Sequence, residues 1–180
     1  MKNSKLESVI LSLLQQLVSG RESVSKIDYA SLSENDWMSI YQMSAKQGVL
    51  AIVYDAITPI LHYLPRPLKI QWALGVLQIE KRYAKQLSNS KELSKIYEQA
   101  GISVVVLKGL ALSVYYPMPN HREFGDFDCF LFDRYDDGNL IAIENGATFL
   151  GADYKHSHLN YKGKKKKNHR YCTPIRGGKN

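Results

Sequence analysis

Six residues between positions 108 and 128 are of types that can hold and transfer a phosphate: Lys108, Gly109, Arg122, Gly125, Asp126 and Asp128. Asp126 and Asp128 stand two apart at the head of the apolar run 127–132. On a strand both carboxylates project from one face, because strand side chains alternate with period two. Two like charges that close repel, which is unfavourable unless a cation lies between them. The pair is therefore a candidate Mg2+ site, since Mg2+ takes oxygen ligands and usually only one or two protein carboxylates per ion. Gly125 lets a phosphate come close to the main chain. Lys108-Gly109 falls between an apolar run and a helix start, where free N–H groups and the helix dipole favour an anion. Arg122 can grip a phosphate with two parallel N–H bonds.

Two apolar runs must position these groups. Ile102–Leu107 is a β-branched run behind Gly101 and reads as a buried strand. Residues 110–116 read as a short helix, 117–120 as a loop and 127–132 as a second strand. Residues 136–147 give a weak helix ended by Gly146. The segments 156–161 and 168–171 read as two more strands joined at Lys162-Gly163. His156 and His158 would then share a face, and with His169 they raise a zinc site. No third ligand at an established spacing accompanies them, so they are read as partly exposed strand histidines.

The first hundred residues have a different texture. Leu6, Val9, Ile10, Leu13, Leu14 and Leu17 recur at helical spacing up to Gly20. Residues 21–32 read as a connection. Ser33 precedes Glu34 and Asp36, an N-cap with acids in the first turn. The helix it opens breaks at Gly48, and 49–57 read as another short helix. Pro67 suits a first helical position, and a periodic apolar stripe then runs to Gly101, with Ser88-Asn89-Ser90 as a soft spot. The division expected is a helical region over 1–100, an α/β core over 101–161 and a basic tail over 162–180 that can supply a last core strand.

Composition fits a core-forming, non-membrane protein: 44% hydrophobic, 23% charged, 180 residues. No apolar run reaches the roughly 20 residues needed to span a bilayer. The N-terminus lacks a signal-peptide cleavage pattern. Cys129 and Cys172 have no metal spacing, which predicts reduced thiols in the cytoplasm. The net charge of +7 is concentrated at one end. Residues 155–180 hold nine of the 24 Lys and Arg and no acid, so the remaining 15 face 17 Asp and Glu. Such a run is read first as solvated, and second as a polyanion- or nucleic-acid-binding tail.

The ordered set Leu107-Lys108-Gly109, Tyr116-Pro117, Arg122 and Gly125-Asp126-Phe127-Asp128, preceded by Asp36-Trp37 and Gln47-Gly48-Val49, resembles the uncharacterised nucleotidyltransferase family of bacteria. That family lies within the DNA polymerase β-like nucleotidyltransferase superfamily. The resemblance covers most of residues 33–132. It implies an α+β fold: a helical N-terminal region followed by a small mixed β-sheet with flanking helices. It also implies two Mg2+ ions, with Mn2+ as a substitute, bound by Asp126 and Asp128. The implied reaction transfers a nucleoside monophosphate from a nucleoside triphosphate to a hydroxyl acceptor, with Lys108, Gly109, Arg122 and Gly125 on the phosphates.

One feature of that family's pattern is missing. The third carboxylate is expected at the position held here by Lys167, and residues 155–180 offer no acid in its place. Glu144 and Asp153 fall in the wrong elements. A further helical region is also implied beyond this point, so the fold is expected to be C-terminally truncated, and the lysine run is a place where a reading frame can slip. Three readings stay open: a nucleotidyltransferase with impaired catalysis, a degenerate nucleotide-binding module, and a basic-tailed polyanion binder.

Overall fold

The computed structural model describes residues 2–19 and 27–171. Six α-helices and one five-stranded mixed sheet occur among them, and no helix there is long and apolar enough to cross a membrane. The chain divides into two compact units, one of Met1–Tyr83 with Met118–Glu123, the other of Ala84–Pro117 with Phe124–Asn180.

The first unit is helical. It comprises α1 (Lys2–Ser19), α2 (Glu34–Lys46), α3 (Leu50–Ile57) and the first half of α4 (Arg66–Gln99). Ser33 starts α2 as its sequence implies: its hydroxyl accepts from the Asp36 N–H, and the Asp36 carboxylate accepts from the Ser33 N–H. Leu6, Val9 and Leu13 of α1, Trp37 and Ile40 of α2, and Val53 and Ile57 of α3 are buried together with Leu68 and Trp72 of α4. The indole of Trp72 donates to the Leu50 carbonyl at 3.0 Å, so its one polar group is satisfied in the core. Met118–Glu123 is tied to this unit by His121, buried between two acids. Its Nδ1 lies 2.8 Å from Asp55 and its Nε2 lies 3.1 Å from Glu80. Asn120 also donates to Glu80, and Arg82 pairs with Glu123.

The second unit contains the rest of α4, which runs unbroken through Ser88-Asn89-Ser90, and the sheet. The strands are β1 (Val105–Leu107), β2 (Phe127–Phe130), β3 (Thr148–Ala152), β4 (His156–Tyr161) and β5 (Lys164–His169). They lie in the order β1-β2-β5-β4-β3. Only β2 and β5 are parallel. Helix α5 (Gly109–Ser113) follows β1, and α6 (Tyr135–Glu144) follows β2. One sheet face packs on Leu93 and Tyr97 of α4 and on Ala142 of α6 through Phe127, Cys129, Leu159 and Tyr161.

Several elements differ from the sequence reading. β1 is three residues rather than six. The helix after it is a single turn of five residues, not seven. β3 was not expected. β5 begins at Lys164, four residues before its expected start, so the lysine run is a strand and not a solvated tail. The run alternates across the sheet, and Lys166 is 2% exposed. Lys162 and Gly163 form the two-residue β4–β5 turn with φ of 51° and 77°, the left-handed pair that matches strand twist in tight hairpins. Residues 172–180, including Cys172 and the end of the basic tail, lie outside the described residues, as do 20–26.

Candidate functional site

The second face of the sheet carries the polar groups. Register places Asp128 of β2 beside Lys167 of β5 and Lys167 beside His158 of β4. The next row is Phe130, His169 and His156. Alternation puts Asp126 on the same face as Asp128. The face is therefore a band of acid, lysine and imidazole across three strands.

Each aspartate of the pair has a side-chain partner within the sheet. Lys167 Nζ lies 2.6 Å from Asp126 Oδ2, and His169 Nε2 lies 2.8 Å from Asp128 Oδ1. The hydrogen bond to Asp126 holds the Lys167 ammonium above its usual pKa. Both members of that pair are about three-quarters buried, with side-chain exposures of 27% and 25%. This distinguishes the pair from a surface ion pair, which is worth little. Asp128 is buried at 8% exposure.

The turn around Lys108 is seated against this pair. Lys108 is exposed and has φ of 49°, an uncommon conformation for a residue with a Cβ. Gly109 follows with φ of 24°, and a Cβ there would stand 3.2 Å from the Asp126 carbonyl oxygen. Glycine thus allows the β1–α5 turn to lie on the backbone of Asp126. Gln86 of α4 donates to the carbonyls of Phe124 and Gly125 at 3.2 and 3.1 Å and fixes the entry to β2. Gly125 has open space where a side chain would be, so no protein atom requires a glycine there. The structure thus brings together Lys108, Gly109, Gly125, Asp126 and Asp128 in one unit. Arg122 belongs to the Met118–Glu123 segment of the other unit.

Beneath β5, on the helix-covered face, Lys166 points into the core. Its ammonium donates to the Tyr97 hydroxyl and lies 4.1 Å from the centre of the Tyr97 ring. Burial pushes the Lys166 pKa down from 10.5 to about 8 and pushes the Tyr97 hydroxyl and the Cys129 thiol upward. Cys129 Sγ donates to Asn168 at 3.0 Å and behaves as a buried small group. A groove of about 780 Å3, lined by Ser94, Glu98, Ile102, Val104, Val106 and Leu110, involves this same face. Val106 pairs with Cys129 rather than Asp128, so it projects away from the carboxylates.

The charge of the lysine segment is partly neutralised. Lys162 pairs with Glu92 at 2.6 Å, Lys167 with Asp126, and Arg170 approaches Asp136 at 3.8 Å.

Sequence reasoning missed two partners. His169 was weighed as a metal ligand, whereas its Nε2 engages Asp128. Asp153 was set aside as a third catalytic carboxylate, yet it faces His156 and His158 from the β3–β4 turn, with Oδ2 3.4 and 3.7 Å from their Nε2 atoms. The Asp153-x-x-His156-x-His158 spacing was the available signal. The backbone N–H groups of His156 and Lys155 lower the Asp153 pKa, and burial lowers that of His156.

A mixed sheet flanked by helices, with a Lys-Gly turn leaning on a Gly-Asp-x-Asp strand, is an arrangement consistent with a nucleotidyltransferase-like fold. Residues 33–175 match the family described as Uncharacterised nucleotidyltransferase, and the chain belongs to that family. Membership supports a general role in nucleotidyl transfer, with a nucleotide as substrate. Comparison with the curated proteins and with the solved structures found no match.

Proposed function

We propose that this chain binds a nucleoside triphosphate against the Asp126/Asp128 face, and that Lys167 holds its nucleotidyl transfer to a hydroxyl acceptor in an impaired state. The observation that carries this reading is the 2.6 Å ion pair between Lys167 and Asp126. Lys108, Gly109 and Gly125 are proposed as phosphate-binding residues on that face. Arg122 joins them on its sequence position alone.

Mg2+ or Mn2+ would be the family's means of neutralising a triphosphate. Each such ion takes only one or two protein carboxylates, but the third carboxylate that the resemblance implies beside Asp126 and Asp128 falls at Lys167. Here the neighbouring strand position holds an ammonium in place of a carboxylate, and both aspartates already engage side chains of the sheet, Asp126 with Lys167 and Asp128 with His169. The donor set does not fit two ions. What the chain offers in their place is one fixed positive charge, Lys167, beside the carboxylates. An ammonium attracts a phosphate as a point charge. It does not polarise the α-phosphorus or lower a hydroxyl pKa as a metal does. Binding without efficient transfer is the expected combination.

The test compares the native protein with Lys167→Glu, using thermal shift with each of the four common triphosphates and a pyrophosphate-release assay. The native protein should be stabilised by at least one triphosphate in EDTA as well as in Mg2+, with negligible pyrophosphate release. Lys167→Glu should lose the EDTA-resistant binding and gain Mg2+- or Mn2+-dependent release. Faster release by the native protein than by the variant refutes the impairment. No stabilisation by any triphosphate refutes nucleotide binding on this face.

A further inference from the structure

We infer that Asp153, His156 and His158 form a second metal site, selective for a borderline transition cation such as Zn2+ or Co2+ and separate from the Asp126/Asp128 pair. The ligand atoms of the three residues all lie within 4.8 Å of one another. Distances define the geometry further. Two donors each about 2.1 Å from a tetrahedral centre lie about 3.4 Å apart, from ordinary zinc bond lengths. Asp153 Oδ2 is 3.4 Å from His156 Nε2 and 3.7 Å from His158 Nε2. Two imidazoles and one carboxylate suit zinc-like ions, and three protein ligands leave a fourth tetrahedral position open.

The ligands are held before any ion arrives. Asp153 Oδ1 accepts from the backbone N–H groups of Lys155 at 2.7 Å and His156 at 2.9 Å, which leaves Oδ2 turned toward the rings. The Asp153 N–H also donates to the His156 carbonyl, closing the turn that joins β3 to β4. His156 and His158 project from the same face of β4, with ring centres 4.6 Å apart. His156 Nδ1 is buried and has no hydrogen-bond partner among the described residues, so the ring's polar engagement is through Nε2. His169 stacks on His156 at 5.1 Å but commits its Nε2 to Asp128, which makes it a wall of the site and not a ligand. Lys167, the cation in register beside His158, is drawn toward Asp126. Asp153 and His158 are 45% and 40% exposed, which gives an ion a way in.

Co2+ is the probe, because its visible ligand-field bands report tetrahedral nitrogen and oxygen ligation without any nucleotide. The full chain should develop such bands with one Co2+ per molecule, and Zn2+ should displace it while Mg2+ does not. His156→Gln with His158→Gln should abolish the bands. Asp153→Asn should weaken binding by more than the roughly 10–100-fold that loss of an outer partner already costs. Asp126→Asn with Asp128→Asn should still bind one Co2+ per molecule with tetrahedral bands, which separates this site from the nucleotide proposal. Should the double histidine variant fail a circular-dichroism check of folding, the half-exposed His158→Gln alone must still weaken binding. No bands in the native protein overturns the inference, as does their survival in a folded histidine variant.

Discussion

Replacing Lys166 with methionine should make the protein more stable, and by a pH-dependent amount. The lysine is 2% exposed in the second core, with Tyr97 and Phe127 against its ammonium. Its pKa falls from 10.5 to about 8 because burial penalises the charged form. At about 1.4 kcal/mol per pH unit, that gap corresponds to about 3 kcal/mol of lost stability below about pH 8, where the lysine is charged in the folded and the unfolded chain alike. Losing the donor to the Tyr97 hydroxyl returns about 1 kcal/mol of that, so Lys166→Met should gain about 2 kcal/mol at pH 7, methionine being of similar length and apolar.

The sign across pH follows from linkage. Between about pH 8 and 10.5 the unfolded chain binds more protons at this position than the folded one, so the Lys166 contribution to stability rises with pH there. Cys129 and Tyr97, whose folded values are raised, act in the opposite direction at alkaline pH. The informative quantity is therefore the difference between the two proteins. Urea midpoints at pH 7 and pH 10 measure it. The advantage of the variant should be largest at pH 7 and shrink by pH 10. A variant less stable than the native protein at pH 7, or an advantage that does not change with pH, refutes the reasoning.

Gly138→Ala should destabilise the second unit by about 1–3 kcal/mol, since the new methyl would overlap Leu131 Cδ1 on the packed side of α6; a lowered urea midpoint with unchanged slope checks it. His121→Ala should cost about 2 kcal/mol by leaving Asp55 and Glu80 without the ring between them. Protease cleavage of the Met118–Glu123 segment should then accelerate, and a cleavage rate equal to the native one counts against that role.

How far the sequence reveals the fold depends on which interactions decide each element. Helix α2 was legible because Ser33 and Asp36 form its cap locally. β4 was legible from alternation, its Ser157, Leu159 and Tyr161 buried and its His156 and His158 less so. β3 was not, because Thr148–Ala152 is a mostly exposed edge whose strand state comes from pairing with β4. β5 was misplaced because four lysines are poor strand formers, and only β2 and β4 on either side fix their conformation. The Asp126/Asp128 pair was visible as a motif, whereas its engagement by Lys167 and His169 needs the register between distant strands. Asp153 escaped because a turn residue shows its direction only once its backbone hydrogen bonds close.

The strand order has a consequence for how the molecule is made. β5 is the last of the five strands in sequence, yet it lies in the middle of the sheet. Until it is synthesised, β2 and β4 each expose an open edge, and β1–β2 and β3–β4 are only isolated antiparallel pairs. Joining β2 to β5 requires closing a long loop, the slow kind of step in sheet formation. A newly made chain therefore holds two sticky half-sheets for as long as that closure takes. The lysines that make β5 a reluctant strand also discourage it from pairing with a second nascent chain in the interval, as charged gatekeepers do in other exposed strands.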